Sequence, residues 1–113
     1  MLLAGTFESS GLVIDGTTLP MLPPVTPENN PRGNGSFVHL RRAAPAEHIT
    51  KAFVPTAESN KRFVSVHAVA FGTAGQRIFA PGDFLGVVDL GAGAVKSSGQ
   101  GKARSVFITS IAR

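Results

Sequence analysis

The sequence predicts an all-β fold closed into a small barrel, and three observations carry that reading. The stretch 62–89, RFVSVHAVAFGTAGQRIFAPGDFLGVVD, opens with strict alternation: Val64, Val66, Ala68 and Ala70 fall on one side, and Phe63, Ser65, His67, Val69 and Phe71 on the other. That is the period-two pattern of a strand. Alternation returns in 35–44 and 105–111. Between these segments lie turn formers, among them Asp15-Gly16 and Pro81-Gly82-Asp83.

In chain order, MLLAGTFESSGLVI reads as one long strand, bent or bulged near Gly5, broken at Ser9-Ser10-Gly11 and resumed through Leu12 to Ile14. Segment 19–35 holds five of the chain's eight prolines. Proline fixes φ and removes a ladder donor, so this is a long loop. Met21, Leu22 and Val25 would pack it against the barrel or a neighbouring subunit. A second strand follows in GSFVHLRRAA, with Val38 and Leu40 facing the core and Phe37, His39 and Arg41 outward. Segment 45–60 is a connection, either a short helix near 46–53 or a hairpin arm bearing Lys51 and Phe53. Strand three is 63–71. A glycine stop, a short helix or turn and the Pro-Gly-Asp turn lead to strand four at 84–90. Segment 91–101 is a flexible Gly/Ser-rich loop. The last strand places Val106 and Ile108 on one side and Phe107, Thr109 and Ile111 on the other.

At 113 residues the chain is one domain, 1–113, with 42% hydrophobic and 16% charged residues, a globular balance. No apolar run approaches the ~20 residues of a membrane-spanning helix and no leader is evident, so no membrane partner is expected. The absence of cysteine excludes disulfides and thiolate metal sites. Charge is uneven. Residues 1–30 carry Glu8, Asp15 and Glu28 and no base, whereas everything after Asp89 carries Lys96, Lys102, Arg104 and Arg113 and no acid. A net charge of +4 and a pI near 10.4 suit a phosphate-binding surface.

Catalytic motifs are missing. His39, His48 and His67 have neither HxH nor HExxH spacing, so a metal site would need them to converge through folding, and none is expected. There is no GxxxxGK[ST] loop and no GxSxG elbow, and the seven carboxylates are scattered. The expectation is a non-enzyme without cofactors.

Several segments together resemble single-stranded DNA-binding proteins of the bacterial and phage type. Val69-Ala70-Phe71-Gly72, Ala74, Pro81-Gly82-Asp83 and 84–88 follow the family's strand, helix, turn and valine-rich strand. Leu3-Ala4-Gly5-Thr6-Phe7 is similar to its opening strand, and Ser98-Gly99-Gln100 followed by 105–111 to its close. The resemblance implies a five-stranded OB-fold barrel with the Pro-rich loop inserted after strand one. It implies sequence-independent binding of single-stranded DNA in replication, recombination and repair, and assembly as a homo-oligomer, a dimer or tetramer. It also implies a cytoplasmic location, nucleoid-associated or in a host cytoplasm if the chain is viral. With strand two beside strand three, Phe37, His39, Arg41, Phe63, His67 and Phe71 would share one groove. Phe37, Phe63, Phe71 and Phe53 would stack bases. Arg41, Arg42, Lys51, Lys61, Arg62, Lys96, Lys102 and Arg104 would meet phosphates.

The chain departs from the family in having no tryptophan or tyrosine, with Ser65 where a stacking ring is expected. It ends Ser110-Ile111-Ala112-Arg113, so recruitment of partners through an acidic tail is not expected. Two other readings fit the composition: a virion decoration or assembly protein of β-sandwich type, and an RNA-binding OB or cold-shock-like module.

Overall fold

The computed structural model describes residues 1–8, 11–20, 22, 34–56 and 62–113. It is an all-β structure with one short helical turn, in the order β1 (Leu2–Phe7), β2 (Val13–Ile14), β3 (Thr17–Thr18), β4 (Gly35–Arg42), β5 (Glu47–Phe53), β6 (Phe63–Val66), β7 (Ala70–Phe71), β8 (Arg77–Leu85), β9 (Val87–Asp89), β10 (Ala94–Lys96), α1 (Ser98–Gly101) and β11 (Ser105–Ala112). Two antiparallel sheets dominate. The first runs β1-β4-β5; the second runs β11-β8-β6, with β7 also on β8. Both sheets are open.

Alternation places the core between them. Val38 and Leu40 of β4 and Phe53 of β5 meet Val64 and Val66 of β6, Ile78, Ala80 and Phe84 of β8, and Ile111 of β11. Each such side chain contributes about 1.5–3 kcal/mol by leaving water. The sheets are also joined by one hydroxyl. Ser36, fully buried on β4, donates from Oγ to the Val64 carbonyl (2.8 Å) and accepts from the Val66 N–H (3.1 Å). At the far side the edges of β5 and β11 line a cleft of about 670 Å³ with Lys51, Leu90 and Ser110 on its walls.

Several expectations are corrected. Strand one is not long and bent: β1 pairs in continuous register with β4, Gly5 opposite Phe37. Gly5 is small because the Phe37 ring lies over it, 2.9 Å from where a Cβ would stand. Residues 13–18 instead make a separate hairpin, turning at Asp15-Gly16 as expected, with both residues at positive φ (48° and 80°). Segment 47–53 is not a helix but the arm of a hairpin with β4 that carries Lys51 and Phe53, the second of the two forms expected for it. Its alternation of Ile49 and Phe53 against Thr50 and Ala52 pairs it along β4, so β4's neighbours are β1 and β5, and β6 is not among them.

The Pro-Gly-Asp sequence is not a turn either. It lies inside β8, which starts at Arg77 straight after a tight turn, leaving no helix between 71 and 82. Proline is tolerated there because the His67 N–H donates to the Pro81 carbonyl, so the side of Pro81 that lacks a donor faces 67–69, where strand pairing breaks between β6 and β7. Gly82 is required by space: a Cβ would collide with the Ser65 carbonyl oxygen and meet the Phe107 ring. Gly86 divides the expected fourth strand into the end of β8 and β9. Segment 91–101, expected to be a flexible loop, contains β10 and α1, with Asp89 Oδ1 accepting from the Gly91 and Gly93 N–H groups. Most of the Pro-rich loop, including Met21 and Val25, lies outside the described residues.

Substituting Ser36 with alanine removes both bridging bonds and leaves the Val66 N–H buried without its acceptor. A loss of about 1–3 kcal/mol follows, read by urea denaturation. A midpoint equal to wild type would show that the Ser36 bridge adds nothing to stability.

Candidate nucleic-acid interface

The outward faces expected to form one groove are separated by the fold. The outer side of β1-β4-β5 is covered. The β2-β3 hairpin and the segment after it fold back so that Phe7, Leu19, Leu22 and Phe37 form a second buried cluster. Phe37 is 8% exposed and His39 1%. Alternation shows which residues share a face; it does not show that another segment lies on that face. Four buried apolar side chains at about 1.5–3 kcal/mol each outweigh the roughly 0–1 kcal/mol of an exposed ion pair, which is why this face closes. Phe53, at 4% exposed, belongs to the main core, and Arg62 is buried at 3%. Lys61 lies outside the described residues. These burials withdraw Phe37, His39, Phe53 and Arg62 from solvent.

The outer face of β6-β8-β11 does remain open. Register places Phe63, Ser65 and His67 there, beside Phe79, Pro81 and Asp83 of β8 and Val106 and Ile108 of β11. Val106 and Ile108 are on the side opposite Thr109 and Ile111, as the alternation indicates, and the latter pair is buried. Asp83 organises the charge on this face. Its side chain is mostly buried; Oδ1 accepts from His67 Nε2 at 2.7 Å, and Oδ2 lies 3.2 Å from Arg104 Nε. The Arg104 guanidinium also sits over the Phe63 ring, 4.8 Å from its centroid. Further along, Phe79 is 40% exposed, and Arg77 bonds Ser110 Oγ at 2.8 Å.

Phe71 takes a different position. It pairs with Ile78, whose side of the sheet faces the core, but on a short edge strand, so it stays partly exposed beneath Arg113, 4.5 Å from the ring centroid. Arg113 closes this end of the molecule. Its Nε meets both carboxylate oxygens of Glu47 at 2.9 and 3.0 Å, and a terminal nitrogen donates to the Gly75 carbonyl. Arg42 shares Glu47 at 3.4 Å, and Arg41 pairs with Asp15 at 3.0 Å. Lys51, Lys96 and Lys102 are exposed and take part in none of the ion pairs among the described residues.

The structure therefore keeps Phe63, His67 and Arg104 together on one surface and scatters Arg41, Arg42, Lys51, Phe71, Lys96 and Lys102 elsewhere. Sequence reading misses Phe79 and Arg77. The run Arg77-Ile78-Phe79-Ala80 alternates, but the turn chemistry of Pro81-Gly82-Asp83 just after it makes the run look like the end of a connection. Spacing along the chain also keeps the histidines apart, whereas the β4-β5 hairpin brings His39 and His48 into edge contact, ring centroids 5.3 Å apart. No family model, curated sequence or solved structure matches the chain.

Arg113→Ala removes a bidentate contact, a carbonyl contact and a ring contact at once. It is expected to cost about 1–3 kcal/mol, with Arg113→Lys recovering only part because an ammonium that reaches Glu47 lacks the second nitrogen that donates to the Gly75 carbonyl and the planar group that lies over Phe71. Paired urea melts of the two variants check this.

Proposed function

We propose that the protein is a non-catalytic module that binds single-stranded DNA without reading its sequence, on the outer face of β6-β8-β11. The observation that carries this is the juxtaposition on one open sheet of Phe63 under Arg104, of His67, and of Phe79 near Arg77, in a chain of net charge +4. Every base offers a ring face to stack on and every phosphate a charge to meet, so such a face needs no base-edge contacts. Phe63 and Phe79 stand on β6 and β8, with Phe79 six residues from Phe63's partner Leu85. At ~3.3 Å per residue this separates the rings by about 20 Å, several nucleotides of an extended strand. With two rings rather than the larger expected set, and with Asp83 neutralising part of the charge, binding is shallow and its salt slope is small. In this proposal the scaffold is an OB-type barrel opened along the β5/β11 cleft, with β5 as a strand beyond the expected five.

A second reading, self-assembly through β11, is favoured by one observation. Val106 and Ile108 are 85% and 74% exposed on a strand whose other edge is unpaired among the described residues. Such an edge templates pairing with another copy.

Fluorescence anisotropy with labelled oligo-dT, matched duplex and matched RNA is the deciding measurement. Single-stranded DNA is expected to bind in preference to duplex, and Phe63→Ala with Phe79→Ala to weaken it without altering the salt slope. Asp83→Asn, which releases Arg104 and His67 from their carboxylate, is expected to tighten binding and steepen the slope by roughly 0.7 for each additional phosphate neutralised. Equal affinity for single strands and duplex, or none for either, would overturn the DNA reading. Ile108→Asp, followed by sedimentation velocity, addresses self-assembly: an oligomer that becomes a monomer supports it, and an unchanged sedimentation coefficient removes it.

A further inference from the structure

Asp15, His39 and His48 come from three places in the sequence and meet at one point in space. His39 and His48 lie on the same face of the β4-β5 hairpin, since His39 is opposite Thr50 and Arg41 opposite His48. Asp15 stands at the tip of the β2-β3 hairpin that folds over that face. Its Oδ2 is 3.6 Å from His39 Nε2 and 3.7 Å from His48 Nε2, and the three ligating atoms all lie within 4.8 Å of one another. We propose that these residues form a binding site for a divalent first-row cation of the Zn²⁺ class, which fastens the β2-β3 hairpin to the sheet beneath it.

Coordination geometry supports the assignment. Zinc bound at ~2.0–2.1 Å to imidazole nitrogen and at ~2.0–2.2 Å to carboxylate oxygen places tetrahedral ligands about 3.3 Å apart. The two carboxylate-to-imidazole separations need to close by only a few tenths of an ångström around the ion. The donor set, two imidazoles and one carboxylate, suits zinc, cobalt, nickel or copper and is poor for magnesium and calcium. Support behind the ligands is also present. His39 is buried, and its Nδ1 lies 3.0 Å from Thr50 Oγ1, a contact that turns Nε2 toward Asp15. Arg41 occupies the other carboxylate oxygen, Oδ1, at 3.0 Å, which leaves Oδ2 for an ion. His48 and Asp15 are partly exposed, so the ion has a path from solvent and its fourth position opens to water.

Two contacts work against tight binding. Arg41 is a like charge beside the ion, and His48 Nε2 is also within 3.3 Å of Thr50 Oγ1, a contact that metal would displace. The site is therefore weaker than a closed four-ligand zinc site. It is independent of the nucleic-acid face, which lies on the other sheet.

The test uses the full, untagged chain stripped with a chelator, titrated with ZnCl₂ against a chromophoric zinc indicator, and with CoCl₂ while visible absorption is recorded. One equivalent of Zn²⁺ is expected to bind and raise the melting temperature. Co²⁺ is expected to give the intense visible bands of low coordination number, and MgCl₂ to do neither. His48→Ala and Asp15→Asn are each expected to weaken Zn²⁺ binding roughly tenfold or more. Asn at 15 retains the positive-φ turn, so that variant reports on ligation rather than folding. His67→Ala, on the other sheet, is expected to bind Zn²⁺ as the wild type does. Absence of Zn²⁺ binding to the wild type, or undiminished binding by both ligand variants, would overturn the proposal.

Discussion

A single buried hydroxyl sets the spacing of this molecule. Among the described residues the sheets share no continuous ladder, and where β4 crosses β6 the backbone of residues 64–66 would present a carbonyl and an N–H to an apolar core. Ser36 meets both. A buried polar pair left unmade costs far more than a made one contributes, so the bridge fixes which part of β4 lies against which part of β6. With that register Val38 and Leu40 pack against Val64 and Val66 in the core, and antiparallel pairing with β6 sets the direction of β8. The Glu47–Arg113 contact repeats the device at one end, joining β5 to the residue after β11.

Strand-level patterns are legible wherever one face meets the core and the other meets water. Val64 and Val66 against Phe63, Ser65 and His67, and Thr109 and Ile111 against Val106 and Ile108, fall on the sides their alternation indicates. Legibility fails where a face is covered by a segment distant in sequence. Nothing local to Phe37 or His39 announces that Leu19 and Leu22 will lie over that sheet, and the same ignorance hides the approach of Asp15 to two histidines. Position-specific meaning fails once as well. Pro81-Gly82-Asp83 has turn chemistry in isolation but sits mid-strand, because the neighbouring strand interrupts itself where the missing donor would be needed and Ser65 demands a residue without a side chain.

The candidate surface shows how one carboxylate shapes a basic protein. Asp83 takes up the Arg104 guanidinium and the His67 ring on the open face of the second sheet, so the positive field there is weaker than the number of basic residues implies, while Lys51, Lys96 and Lys102 are held apart from it. Rings and cations are thus paired with each other, Phe63 with Arg104 and Phe71 with Arg113, instead of standing free.

The division of the ladder has a kinetic meaning. Residues 2–53 supply the whole of one large sheet and residues 63–112 the whole of the other. Among the described residues, backbone pairing crosses between them only at the Pro55–Val88 bridge and its neighbouring bond. Within the first half the β4-β5 hairpin forms from contacts close in sequence, whereas β1 must bring Leu2 opposite Leu40, and in the second half β8 must bring Arg77 opposite Ala112, so closing the loops inside each sheet is itself slow. Docking comes on top of this, since Ser36 must find its two backbone partners and Glu47 must find Arg113, 66 residues away.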